Sequence, residues 1–190
     1  MARPRKFVED AAIDAAMRAF WAHGYEGTST QDLCEATGLG RSSIYNTFAS
    51  KHDLFEKALA RYIELKTAAA LELLAGDLPV REKVRTLLWW AVEPDEDNPI
   101  GCLVVNATVE LGPHDPAAAD MLRRDQEVRL AALVAAIEAG RRAGEIAADK
   151  DAESLARFVV ATISGMRVMA RGGADRAALE SIATTALSAL

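Results

Sequence analysis

Between Thr28 and Lys51 the chain reads TSTQDLCEATGLGRSSIYNTFASK. Two short amphipathic segments flank the turn Thr37-Gly38-Leu39-Gly40, where Leu39 is the apolar plug. The first segment carries Leu33, Cys34 and Ala36 on its apolar side. The second has Ile44 and, at its end, Phe48. A helix with so few anchors is too small and too polar to fill a core. What it offers outward is Arg41, Ser42, Ser43, Tyr45, Asn46 and Thr47: one long donor, hydroxyls, an amide and a ring with a polar tip. This is the layout of a helix-turn-helix, whose second helix is narrow enough to enter the major groove of DNA.

The rest of the chain is patterned as helix. Ala and Leu dominate and no strand-like alternation persists. Ala12, Ile13, Ala16, Met17 and Phe20 predict a helix from about Val8 to His23, closed by Gly24, with Tyr25 packing under the next helix. Thr28 and Ser29 are its N-cap candidates, and Thr28 with Gln31 fits a capping box. A long helix from Lys51 to about Leu74 carries an apolar stripe through Leu54, Phe55, Ala58, Leu59, Tyr62 and Leu65. Further helices are expected at 80–92, 100–111, 115–142, 151–171 and 175–189, separated by Gly and Pro. The run Glu93-Pro94-Asp95-Glu96-Asp97-Asn98-Pro99 reads as a solvated acidic loop.

A net charge of −6 over 190 residues looks wrong for a nucleic-acid binder. Its distribution resolves the conflict. Residues 1–66 hold nine basic and nine acidic side chains, so the whole excess of acid lies beyond them. Arg3, Arg5 and Lys6 form a basic start that suits phosphates or a minor groove. Cys34 and Cys102 give neither zinc spacing nor a disulfide framework, and free thiols suit a reducing cytoplasm. No run is long and apolar enough for a membrane span. No clustered Ser/His/Asp or Cys/His set, Gly-rich phosphate loop or metal-ligand spacing stands out. The expectation is a non-enzyme with no cofactor and no metal.

The run Ala16 to Phe20, with Gly24-Tyr25, Thr28, Leu33, Gly38-Leu39, Ile44-Tyr45, Phe48, Lys51 and Leu54, resembles the N-terminal domain of the TetR/AcrR family of repressors. The resemblance covers about residues 8–56. It implies an all-α protein with a DNA-binding domain at 1–56 and a ligand-binding and dimerisation domain at 57–190. It implies that Thr30, Gln31, Arg41, Ser42, Ser43, Tyr45, Asn46, Thr47 and Lys51 face DNA. One departure is Gly40, where the family more often has Ser or Thr to cap the reading helix; Gly caps at a small cost.

A single helix-turn-helix reads few bases, and dimers solve this by reading two half-sites. Leu155, Val159 and Ile163, with Leu179, Ile182, Ala186 and Leu187, form surplus apolar faces near the C-terminus and suggest a homodimer through a four-helix interface. The resemblance implies a ligand cavity in the middle helices. Trp89, Trp90, Cys102, Asn106, Glu110, Met121, Phe158 and Met166 are its candidate linings. The expected function is a ligand-responsive repressor that binds a palindromic operator and is released by a small apolar inducer. One alternative keeps this architecture and makes Cys102 the trigger, because a thiol at a helix start is biased toward thiolate. Alternatives of another class are a helical enzyme or a protein-interaction module that binds no DNA.

Overall fold

A computed structural model describes the backbone of residues 5–93 and 98–190, and side chains from Glu9 onward. Arg3 of the basic start and residues 94–97 of the acidic loop lie outside the described residues, while Arg5 and Lys6 fall in the first turn of a helix. Among those residues nine helices and no strand occur: α1 (Arg5–His23), α2 (Thr30–Thr37), α3 (Arg41–Thr47), α4 (Lys51–Ala75), α5 (Val80–Val92), α6 (Leu103–Glu110), α7 (Pro116–Arg142), α8 (Ala152–Arg171) and α9 (Arg176–Ser188). None of them is long and apolar enough to cross a membrane.

The chain forms two compact units. The first joins residues 1–65 to Cys102–Leu122. The boundary expected between 56 and 57 thus falls inside α4, and α6 with the first turns of α7 packs in the N-terminal unit. The reason is a shared core: Leu103, Val104, Ala107, Leu111, Ala118 and Leu122 cluster with the buried residues of α1–α4. At the centre Phe20 and Phe55 meet edge to face at 5.1 Å, and Tyr25 meets Phe55 at 5.0 Å. Such pairs add about 0.5–1.5 kcal/mol each beyond the area they bury.

Of the two N-cap candidates for α2 the structure uses Ser29, and the capping box is Ser29 with Asp32 rather than Thr28 with Gln31. Ser29 is the N-cap and Asp32 its reciprocal partner: Ser29 Oγ accepts from the Asp32 N–H, and the Asp32 carboxylate accepts from the Ser29 N–H. The Ser29 backbone N–H, and after it the Ser29 hydroxyl, hold the Asp32 carboxyl below its ordinary pKa. Thr28 is wholly buried, and its hydroxyl donates to the Gly24 carbonyl at 2.6 Å. At the other end Gly38 takes the left-handed conformation, φ 68°, that turns the chain from α2 toward α3.

The second unit comprises residues 66–101 and 123–190. Its helix α5 buries Val80, Val84, Leu87, Leu88, Ala91 and Val92. These pack with Leu155, Ala156, Val159 and Met166 of α8 and with Leu179, Ala183 and Ala186 of α9. The seven residues expected at a dimer face lie in or against this core. Leu155, Val159, Leu179 and Ala186 are buried within their own unit, and Ile163, Ile182 and Leu187 are half-buried against the same core. The unit leaves Phe158, Val168 and Met169 of α8 uncovered, at 44 %, 54 % and 43 % exposed. A buried acid, Asp125, sits in this unit as well. Arg129 reaches it at 2.7 Å and the Thr67 hydroxyl donates to its other oxygen, so its charge is compensated.

Candidate nucleic-acid interface

Helix α3 is anchored by one buried side chain, Ile44, and Phe48 seals its end. Everything else on it is available from outside. Arg41, Ser42, Ser43, Tyr45 and Asn46 are exposed and Thr47 is half-buried. The helix carries no acidic residue. Its N-cap, Gly40, has no side-chain cap bond.

The structure joins this face to α2. Thr30 Oγ1 and the Tyr45 hydroxyl share a hydrogen bond at 3.1 Å, which fixes α2 and α3 relative to one another. The Arg41 guanidinium lies 6.0 Å from the Tyr45 ring centroid. Gln31 is exposed beside them, and its amide donates to Glu35 at 2.8 Å. Lys51, at the start of α4, holds its ammonium 4.4 Å above the Tyr25 ring. A cation held by a ring face keeps its charge and can still reach a phosphate. The sequence-based DNA-facing residues therefore lie on exposed or half-exposed surface of one unit.

Two further contacts in this unit were invisible to local pattern. The Glu110 carboxylate, at the end of α6, accepts from the backbone N–H of Tyr25 at 2.9 Å and of Glu26 at 2.7 Å. His52 Nε2 lies 2.6 Å from Asp115 Oδ2. That bond is the main reason the Asp115 carboxyl sits below its ordinary pKa; burial opposes it, and the N–H groups of Ala118 and Ala117 assist. These partners are separated by 63 to 85 residues, so no spacing rule in the sequence connects them.

The expected ligand-lining residues divide between the units. Cys102, Asn106, Glu110 and Met121 lie in the first, and Trp89, Trp90, Phe158 and Met166 in the second. Several are committed elsewhere. Asn106 reaches the Trp21 carbonyl at 3.5 Å, Glu110 binds the two backbone amides, and Met121 packs on the first unit's core. Met166 is sealed in the second unit's core. Trp89 packs on that core with Arg85 over its ring at 5.1 Å, whereas Trp90 and Phe158 are exposed. Cys102 is the N-cap of α6, and the Tyr62 hydroxyl donates to its Sγ at 3.4 Å.

The sequence model for bacterial regulatory proteins of the tetR family matches residues 12–58, over the helix-turn-helix just described. The model for the tetracyclin repressor-like C-terminal domain matches residues 82–186. The chain belongs to the TetR family. Its relatives include the HTH-type transcriptional repressor ComR of Escherichia coli, 35 % identical over 97 % of this chain and 90 % of ComR. The HTH-type transcriptional regulator YezE of Bacillus subtilis is 32 % identical over the full length of both chains. Among solved structures, a cysteine mutant of the TetR family regulator CifR, complexed with 26-base-pair operator DNA, superposes with a TM-score of 0.85 at 34 % identity and covers 99 % of each chain. This TetR-family chain is a DNA-binding transcriptional regulator, and the helices of its described residues follow the family's order of an N-terminal helix-turn-helix and a helical C-terminal domain.

Proposed function

We propose that this protein is a cytoplasmic, homodimeric repressor that binds a palindromic operator and releases it when a small apolar molecule occupies the C-terminal domain. Its work is binding rather than catalysis. The observation that carries the reading is the α3 face, which is polar, free of acid and braced to α2 by Thr30 and Tyr45. In this reading Arg41 contacts a guanine edge or a phosphate. Ser42, Ser43, Asn46 and Thr47 reach bases or backbone, and Lys51 meets phosphate. ComR is named a repressor and CifR was solved on operator DNA, which supports the assignment of sign and target.

The homodimer in this proposal uses the uncovered face of α8. Phe158, Gly165, Val168 and Met169 recur on it at helical spacing, and a side chain added at Gly165 would meet nothing within 4 Å. That face is apolar and permits close approach of a second helix. Duplex DNA selected from a random pool by the purified protein tests the whole reading. Two inverted half-sites and a steep loss of affinity with salt are expected. Recovery of no preferred sequence, with binding indifferent to salt, would sink it.

A second reading concerns the trigger. Cys102 is the N-cap residue of α6, and the Tyr62 hydroxyl donates to its Sγ at 3.4 Å. In this reading alkylation or oxidation of Cys102 replaces the reversible inducer. Faster labelling of Cys102 than of Cys34, with loss of operator binding in wild type and not in Cys102→Ser, is the expected result. Equal labelling rates would leave the small-molecule inducer as the trigger.

A further inference from the structure

Glu110 stands where helix chemistry disfavours it. It is the last residue of α6, next to carbonyls that carry partial negative charge. A carboxylate placed there lowers helix stability unless it makes other contacts, and Glu110 makes two. Oε2 accepts from the Tyr25 N–H and Oε1 from the Glu26 N–H, a two-pronged grip on consecutive backbone donors. These are the first amides after the left-handed Gly24, so the helical ladder of α1 has already ended before them. Gly24 also makes the room. Its φ is +81°, and a Cβ built there would lie 3.0 Å from Glu110 Oε2. Backbone conformation and missing side chain thus both serve the approach of the carboxylate.

The grip falls on the residue whose ring carries Lys51. Tyr25 lies under the Lys51 ammonium at 4.4 Å and packs on Phe55 and His52. Its phenol is pushed up in pKa by burial first, then by Glu26, Asp115 and Glu110, so it stays a neutral platform. From the same segment the chain enters α2 through buried Thr28 and the Ser29 cap. We propose that Glu110 is a positioning residue for operator binding: its carboxylate latches the α1–α2 corner and so sets where Lys51 meets the DNA backbone. The proposal rests on the DNA-binding reading above. It gives α6 a purpose within the N-terminal unit. One rigid helix of about 12 Å runs from Cys102 at its cap to the latch at its end. Any event that shifts α6 therefore acts on the corner through these two hydrogen bonds.

The test uses the full chain and a duplex carrying its selected operator. Glu110→Gln keeps size but offers one acceptor where two donors point, and Glu110→Asp keeps charge but is one methylene short. Each is expected to lower operator affinity about tenfold, the effect of one lost hydrogen bond to a charged group. Each should also lower the salt slope by about one unit, as Lys51→Ala does. Combined with Lys51→Ala, each should lose less than the product of the single effects, because both act through one contact. If either variant keeps wild-type affinity and slope, or if the losses multiply in full with Lys51→Ala, the latch is overturned. Amide resonances of Tyr25 and Glu26 supply a readout independent of DNA: both should shift in both variants, and unmoved resonances also overturn it. If the wild type itself binds no duplex, the function fails rather than the latch.

Discussion

Helices α3 and α8 each present a face that their own unit does not cover, and the two faces are chemical opposites. On α3 the uncovered positions are Arg41, Ser42, Ser43, Tyr45 and Asn46. On α8 they include Phe158, Gly165, Val168 and Met169. A polar face costs nothing in water and gains only when ordered donors and acceptors replace solvent, as on a nucleic acid. An apolar face of this size is at a loss in water and gains from any dry partner. In the proposed function the first face is reversibly empty and the second is covered by a second copy. Placing the operator on α3 and the second copy on α8 satisfies both.

The largest expected effect breaks the α8 side of this comparison. Phe158→Glu puts charge on the uncovered face without entering the core. The protein should become monomeric with its melting temperature nearly unchanged, and operator affinity should drop by about 10²-fold or more as the second half-site is lost. Ile182→Glu is the contrast. Ile182 packs against the core, so the charge should destabilise the fold by roughly 2–4 kcal/mol. Sedimentation and calorimetry on the two variants separate interface from core. A monomer produced by Ile182→Glu at unchanged stability, with Phe158→Glu still dimeric, would reverse the assignment of faces.

The α3 side should respond in smaller steps. Arg41→Ala and Lys51→Ala are each expected to weaken the operator complex about tenfold. Lys51→Ala should flatten the salt dependence by about one unit as well. Tyr45→Phe removes the hydroxyl that Thr30 meets and should cost about 1 kcal/mol of binding by loosening α2 against α3. Affinity titrations at several salt concentrations check all three. Equal affinity in every variant would mean that α3 is not the reading surface.

The two faces were unequally legible in the sequence. On α3 one buried anchor, a Gly-bounded turn and a polar remainder give a single solution, and Ile44 and Phe48 are buried as expected. Gly38 reads as a helix stop because no other residue takes that conformation as easily. Helix α8 is apolar on more than one side. Leu155, Val159 and Ile163 share helical spacing, and so do Phe158, Gly165 and Met169. Periodicity alone does not say which set meets α5 and which is left over. Only the packing of α5 and α9 decides that. Glu110 and Asn106 were legible as polar groups that need partners, but their partners lie 85 residues away by sequence. Thr28 and Ser29 were a near-degenerate pair of caps. The burial of Thr28 settled it, since a hydroxyl bonded to the Gly24 carbonyl is not aimed at the α2 amides.

Acid acts on the N-terminal unit through Asp115. The proposed reading helix α3 has no carboxylate to titrate, whereas Asp115 is bonded to His52. The folded Asp115 carboxyl binds its proton more weakly than the ordinary value of about 3.9, so the folded state is favoured while that group is ionised. That stability is fully present above about pH 4 and is lost as pH falls through the lower folded value. Asp115→Asn should therefore be less stable than wild type at neutral pH, by at most about 1 kcal/mol, and the gap should close below pH 4. Denaturant melts across pH check this. A gap that widens in acid would contradict the direction of the shift.

The smallest effect lies at the start of the reading helix itself. Gly40 is its N-cap, with extended backbone at φ −68° and ψ 155°, so no left-handed conformation requires glycine there. A Cβ added at Gly40 would meet nothing within 4 Å. The orphan amides of the first turn have only the Gly40 carbonyl, which accepts from Ser43 and Ile44. A serine oxygen at this position adds a side-chain acceptor for the second or third amide of α3. Gly40→Ser should accordingly raise stability by a few tenths of a kcal/mol, about 1 °C in melting temperature for a chain of this size. Operator affinity should stay within about twofold, because the side chain serves α3 rather than DNA. A calorimetric scan and a binding isotherm read the two quantities separately. Higher stability with a strong loss of affinity would show that glycine is kept for close approach of the DNA backbone. In that case the turn, and not only the face of α3, belongs to the contact surface.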